Sequence, residues 1–172
     1  MSETDRAGVS SIRLAGRAMA VAAIAALLPL GCNGGESAPA IANPPAASVS
    51  PPSQWNVTGD LRPADAIADG NPATIAVSDQ QYRGAQVTID LGKPCLFNMV
   101  VLDHGRRQMG FCRRMSVLTS IDGKDFEHRL SLPGTRQVTT ACLLTPVLAR
   151  YVRLRADVPG DEPWSIATVR IR

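Results

Sequence analysis

A period-two alternation of apolar and polar residues recurs along the second half of the chain, and it limits the possible fold more than any other feature. In residues 86–91, Val87, Ile89 and Leu91 share one face while more polar positions alternate with them. The same pattern, or a short fully apolar version of it, recurs in residues 99–102, 115–120, 151–156 and 167–171. Successive side chains of a strand point to opposite faces, so these segments predict half-buried antiparallel strands.

Turn-forming residues separate these segments at the spacing of an all-β fold. They are Asp69-Gly70, Gly92-Lys93-Pro94, Asp122-Gly123, Pro133-Gly134 and Pro159-Gly160. Asp122-Gly123 lies between two strand patterns and predicts a tight hairpin. The sequence therefore predicts, for residues 54–172, an all-β fold: an antiparallel jelly-roll β-sandwich of about eight strands.

The first 31 residues have the three parts of an export signal. Three arginines before residue 18 give a basic head, residues 18–30 are a continuous apolar run, and Gly31 is a small residue at the boundary. Spanning a bilayer takes about 20 apolar residues, and this run is shorter. Residues 1–31 are therefore predicted to be a signal peptide rather than a transmembrane helix.

Leu30-Gly31-Cys32 resembles the end of a bacterial lipoprotein signal, in which the cysteine is acylated and begins the mature chain. The resemblance implies a lipid anchor on Cys32 at the outer membrane or cell surface of a bacterium, because several acyl chains together anchor stably. Plain cleavage with release to the periplasm or the medium is the alternative. Residues 32–53 are rich in Pro, Ala and Ser and are predicted to be a linker.

Four segments of the predicted sandwich occur in a recognisable order. They are Ala68–Thr74, Val87–Pro94, Ser120–Phe126, and Ala149–Arg155 followed by Trp164–Ala167. Together they resemble the discoidin family, also called the coagulation factor 5/8 type C domain. The resemblance implies a galactose-binding-like sandwich whose members bind sugars, phospholipids or proteins through loops at one end. It also implies that Trp164 is packed in the core.

The resemblance places a structural calcium site in the loop that contains Asp69, Asn71 and Thr74. Calcium takes six to eight hard oxygen ligands, and this loop offers a carboxylate, a hydroxyl and carbonyl groups. Relatives usually add a glutamate near the carboxyl end, where this chain has Thr168. The alternative is an ordinary Asp-Gly-Asn turn, in which the aspartate bonds to neighbouring amides.

The resemblance also places the ligand site on the loop after residue 102. Sugar-binding relatives supply an arginine there, and the planar guanidinium suits paired hydrogen bonds to hydroxyls or a carboxylate. Arg106 is the first candidate, followed by Arg107 and His104, and Tyr82 is an aromatic candidate on a neighbouring segment. A solvated loop with incidental charge is the alternative.

The remaining features argue against catalysis and nucleic-acid binding. A net charge of +3 is too balanced for nucleic acid as the partner. Neither histidine lies in a recognisable active-site motif, and Cys95, Cys112 and Cys142 leave one disulfide or none as open possibilities. We therefore predict a monomeric, non-catalytic binding or adhesion module of the cell envelope with a carbohydrate ligand. The alternative is a protein-interaction or structural subunit of an envelope complex.

Overall fold

The computed structural model describes residues 48–172, and these residues form an antiparallel β-sandwich. Nine strands occur in this range: β1 (Asn56–Gly59), β2 (Leu61–Arg62), β3 (Ala76–Ser78), β4 (Gln86–Asp103), β5 (Arg114–Ser120), β6 (Glu127–Pro133), β7 (Val138–Ala156), β8 (Ser165–Ile166) and β9 (Thr168–Ile171). The larger sheet has the order β1-β4-β7-β5-β6, with β9 also paired to β4, and the smaller sheet has the order β2-β3-β8. The predicted all-β jelly-roll architecture is confirmed.

β4 and β7 are much longer than the sequence pattern suggested. Residues 92–94 were expected to end a strand, but β4 continues through them. Gly92 has φ +79°, and the pairing of β4 with β7 shifts register between Asp90 and Cys95. The Asp90 carboxylate accepts a hydrogen bond from Gly92 N at 2.8 Å and paired hydrogen bonds from Arg150 of β7. This ion pair therefore links the two long strands at the register shift.

The alternating apolar residues of the long strands meet in one core. Val87, Ile89 and Leu91 from the first half of β4 are fully buried, as the alternation predicted, and Leu154 of β7 packs in the same cluster. Trp164 is also fully buried, which confirms its expected place in the core. Its Nε1 is the one buried side-chain polar atom in residues 48–172 without a hydrogen-bond partner.

The turn at Asp122-Gly123 differs in length from the expected tight hairpin. β5 ends at Ser120 and β6 begins at Glu127, so six residues connect two antiparallel neighbours. The Asp122 carboxylate accepts hydrogen bonds from the backbone amides of Lys124 and Asp125, and these lower the pKa of Asp122 to about 2. The aspartate thus organises a longer turn than a two-residue hairpin.

The packing contacts of the domain begin before residue 54, where the sequence placed the end of the linker. Val49 packs against the core, and the buried Ser50 hydroxyl donates to the Leu91 carbonyl. Trp55 Nε1 donates to the Ser50 carbonyl at 2.9 Å.

Within residues 48–172 no helix is long and apolar enough to cross a membrane. The predicted signal peptide, Cys32 and most of the predicted linker lie outside the described residues.

Candidate ligand-binding site

Four loops meet at one end of the sandwich, which we call the loop end. Strand register brings them together, because Gln86 pairs with Arg155 while Arg114 pairs with Pro133. The far end of β4 returns to the same place, since the His104 amide donates to the Gln137 carbonyl at 2.9 Å. The loop end comprises residues 79–85, 104–113, 134–137 and 157–164.

His104 anchors the longest of these loops and does not face solvent. Its side chain is 1% exposed, Nδ1 lies 2.7 Å from the Ser165 carbonyl, and Nε2 lies 3.1 Å from Thr139 Oγ1. A carbonyl only accepts, so Nδ1 carries the proton and Nε2 accepts from the threonine hydroxyl. Both ring nitrogens are thus occupied inside the protein. The prediction that His104 contacts a ligand is corrected: this residue holds the loop in place.

Arg106 and Arg107 lie on the outer part of the same loop, and both are exposed. The backbone turns tightly beneath them, because the Arg107 amide donates to the His104 carbonyl at 3.2 Å. Gly110 closes the loop against the neighbouring segment, where a Cβ would lie 2.3 Å from Ser165 Oγ. The fold therefore presents two arginine side chains to solvent on a well-anchored loop.

Tyr82 lies on a different loop and is half exposed. A hydrogen bond with the Asp60 side chain raises the pKa of the Tyr82 hydroxyl. Among residues 48–172, no hydrogen bond or ring contact joins Tyr82 to Arg106 or Arg107. The structure places the three predicted contact residues on the loop end, without a direct contact between Tyr82 and either arginine.

The calcium loop meets its hydrogen-bonding needs with its own residues. Asp69 Oδ1 accepts from Asn71 N at 2.7 Å, and Asp69 Oδ2 accepts from Thr74 Oγ1 at 2.5 Å. These hydrogen bonds, the threonine one foremost, lower the pKa of Asp69. Asn71 Oδ1 in turn accepts from Ala73 N at 3.0 Å.

The donor set around this loop does not fit calcium well. Residues 48–172 contain no group of three or more His, Cys, Asp or Glu side chains that could hold a metal ion. Asp69 supplies a single carboxylate, and both of its oxygens already accept hydrogen bonds. Calcium would need six to eight oxygens at this place. The arrangement matches the Asx-type turn that was the alternative reading of the sequence.

The three cysteines of the described residues are unpaired. Cys95 and Cys112 are buried, whereas Cys142 is exposed on the outer side of β7. Burial raises the pKa of the Cys112 thiol to about 12, so this thiol is protonated and unreactive. Of the two possibilities left open by the sequence, the structure shows the one without a disulfide.

Three further arginines near the loop end were not singled out from the sequence. Arg83, Arg114 and Arg155 line one groove on the outer face of the larger sheet, beside the loop end. The strand alternation put Arg155 on an outer face, but the other two lie outside any alternating pattern. Their convergence follows from the strand register, which the sequence does not show.

These features define a class: a jelly-roll sandwich with a polar, arginine-bearing loop end. The sequence from residue 46 to residue 169 matches the F5/8 type C domain, and the chain belongs to this family. No curated protein sequence matches the chain.

Several solved structures with the same fold are carbohydrate-binding modules. The CBM32-5 module of CpGH89 from Clostridium perfringens, in complex with GalNAc-beta-1,3-galactose, is 18% identical with a TM-score of 0.64, over 72% of this chain and 99% of that one. The family 32 module of Clostridium perfringens NanJ, in complex with galactose, is 16% identical with a TM-score of 0.62, over 73% and 97%. Chitosan-binding module 1 from a chitosanase/glucanase of Paenibacillus sp. IK-5 is 17% identical with a TM-score of 0.58, over 68% and 91%. At these identities the likeness establishes the fold.

Proposed function

We propose that residues 48–172 form a non-catalytic carbohydrate-binding module whose ligand contacts the loop end. The observation that carries the proposal is the membership of the family together with two exposed arginines, Arg106 and Arg107, on an anchored loop. Solved structures of the same fold were determined with galactose or GalNAc-beta-1,3-galactose. Binding residues are often carried by loops on a rigid scaffold, and Arg106 and Arg107 lie on such a loop.

The geometry of the loop suits recognition of sugar hydroxyls. A guanidinium donates paired hydrogen bonds in a fixed plane, and Arg106 presents its guanidinium to solvent without a salt bridge among residues 48–172. His104 fixes the loop by two internal hydrogen bonds, so less conformational entropy is lost when a sugar binds. The half-exposed Tyr82 ring offers an apolar surface on the neighbouring loop.

Binding without catalysis is supported by the state of the side chains that could perform acid–base chemistry. His104 has both ring nitrogens hydrogen-bonded inside the protein, and burial lowers its pKa. His128 lies on β6, away from the loop that carries Arg106. We further propose export by residues 1–31 and anchoring through Cys32, as the sequence predicts. Calcium is not part of this proposal, because the Asp69 loop does not fit it.

A glycan array tests the proposal. The protein without its first 31 residues should bind a defined class of neutral sugar, and Arg106→Ala should abolish that binding. Lys124→Ala is the matched control, because Lys124 is an exposed cation on the turn at the opposite end of β5. Binding that survives Arg106→Ala, or that Lys124→Ala removes equally, would contradict the proposed site.

Docking to an envelope protein is a second candidate function, and an exposed apolar pair favours it. Leu96 of β4 and Leu148 of β7 are cross-strand neighbours, and both side chains are exposed. Leu144 is fully exposed, and Ile121 lines the same depression as Leu148. A blank array from folded protein, with crosslinks from a photoreactive group at Leu148 to one envelope protein, would support docking over sugar binding.

A further inference from the structure

The groove on the outer face of the larger sheet, which we call the arginine groove, concentrates positive charge. It has a volume of about 600 Å³, within the range of small-molecule sites. Its lining side chains come from three strands and two loop segments: Arg83, Arg114, Ser116, His128, Ser131, Arg155 and Asp157, with the backbone of Gly84 and Ala156. None of the residues proposed to bind neutral sugars belongs to this set.

Strand register builds the floor of the groove. Ser116 of β5 pairs with Ser131 of β6 on one side and with Arg155 of β7 on the other. The two serine hydroxyls lie 2.7 Å apart, and His128 Nε2 lies 3.0 Å from Ser131 Oγ. The first hydrogen bond connects β5 to β6 and the second lies within β6, so the polar side chains of the floor are held in place. Arg114 lies two residues before Ser116 and therefore points to the same face of the sheet.

The acid in the groove cannot balance its three arginines. Asp157 is the single carboxylate in the lining, and both of its oxygens lie 2.8 Å from Ser116 Oγ. It also lies 3.8 Å from Arg155 Nη2. Arg83 and Arg114 form no side-chain hydrogen bond or salt bridge with any residue in 48–172. Three guanidinium groups with one carboxylate in the same lining leave a net positive charge in the groove, and such a charge attracts an anion.

The lining indicates which kind of anion fits. Guanidinium groups form bidentate hydrogen bonds with carboxylate and other oxyanions, while serine hydroxyls can bond to sugar hydroxyls. The lining contains no Phe, Tyr or Trp, so it offers no platform for stacking nucleic-acid bases. We propose that the arginine groove binds the carboxylate or sulfate groups of an acidic polysaccharide. The choice of a polysaccharide rests on the proposed function, whereas the choice of an anion rests on the groove itself.

Paired polymers that differ in charge alone test this proposal. Polygalacturonate is compared with its methyl ester, and dextran sulfate with dextran, by affinity electrophoresis and calorimetry. The protein should bind each charged polymer more tightly than its neutral counterpart. Arg83→Gln and Arg114→Gln should each weaken binding about tenfold, as expected for loss of a hydrogen bond to a charged group. Arg172→Gln, which removes an exposed arginine far from the groove, should change the affinity less than twofold.

The outcomes separate this proposal from the proposed function. Equal binding to a charged polymer and its neutral counterpart, or an equal loss in Arg172→Gln, would overturn the groove as an anion site. Tighter binding to single-stranded DNA than to either acidic polymer would overturn the choice of ligand. If neutral sugars bind through Arg106 and acidic polymers do not bind, the groove proposal fails while the proposed function stands. If the neutral glycan array is blank but acidic polymers bind through Arg83 and Arg114, the proposed function fails while the groove proposal stands.

Discussion

Replacing His104 should remove a pH-dependent part of the stability of the domain. The buried ring joins the loop that carries Arg106 to β7 and to Ser165, through two hydrogen bonds of 2.7 Å and 3.1 Å. His104→Leu keeps an apolar side chain of similar size but leaves the Ser165 carbonyl and the Thr139 hydroxyl without these partners. Thr139 Oγ1 still accepts a hydrogen bond from the Thr135 amide at 3.0 Å, so the main cost is the unsatisfied Ser165 carbonyl, about 1–3 kcal/mol. That is a large fraction of the about 5–15 kcal/mol by which domains are stable.

The pH dependence follows from the direction of the pKa shift. Burial is the main cause that lowers the pKa of His104 below its ordinary value of 6.5, so the folded protein resists protonation. The unfolded chain therefore binds more protons than the folded protein below pH 6.5. The contribution of the neutral His104 ring to stability is fully present above that pH, and it declines as the pH falls towards the pKa of His104 in the folded protein. The wild-type protein should therefore lose stability between pH 7.5 and pH 5.5 through this residue.

Urea denaturation followed by tryptophan emission measures both effects, because Trp164 is buried in the core. His104→Leu should show the smaller unfolding free energy at pH 7.5 and a flatter dependence on pH. The chain has two histidines, so His128→Gln is the matched control. His128 is exposed, and its replacement should leave the wild-type pH slope in place. The same pH slope in His104→Leu as in the wild type would refute the reasoning.

Three further predictions concern parts of the domain away from this histidine. Asp90→Asn should lower the free energy of unfolding by about 1 kcal/mol at pH 7, a modest loss because the partly exposed ion pair with Arg150 is screened by solvent. The difference from the wild type should vanish below the lowered pKa of Asp90. An equal difference in acid, measured by urea denaturation, would contradict this prediction. Thr74→Val should lower the melting temperature, whereas adding calcium or a chelator should not change it, and a rise with calcium would show a metal site. Maleimide labelling with mass spectrometry should modify Cys142 in the folded protein and Cys112 only after unfolding; early labelling of Cys112 would contradict its burial.

The sequence predicted those strands whose polar and apolar residues alternate visibly. Residues 86–91 did so, and they form the first half of β4 with the expected face buried. The first half of β7 was missed because Val138 and Cys142 are apolar but exposed, while Thr139 is polar but buried. Burial there is decided by partners on other strands, so the hydrophobic pattern of the segment does not reveal its faces. The same reason explains His104, whose ring finds partners 61 and 35 residues away.

The candidate binding residues likewise fall into those that the sequence indicates and those that only the structure brings together. Arg106 is a candidate from the sequence because the family resemblance places the ligand site on its loop. Arg83, Arg114 and Arg155 come from three separate segments, and each is unremarkable in its own surroundings. They become one groove only when the pairing of β5 with β6 and β7 is known. A site assembled by register is visible in the structure and not in the sequence.

The two proposed sites lie close enough for one polymer to occupy both. Arg106 is eight residues before Arg114 along the chain, so the two Cα atoms are less than about 30 Å apart even if the loop were fully extended. Once one site holds a polysaccharide, binding at the other becomes intramolecular and the effective concentration rises. Affinity for partly methyl-esterified oligogalacturonates, which carry both neutral and charged units, should therefore increase steeply with chain length in the wild type. Arg106→Ala and Arg114→Gln should each flatten that increase, because a single remaining site gains little from a longer chain. A flat series in the wild type, or an equally steep one in both variants, would show that the two sites act separately.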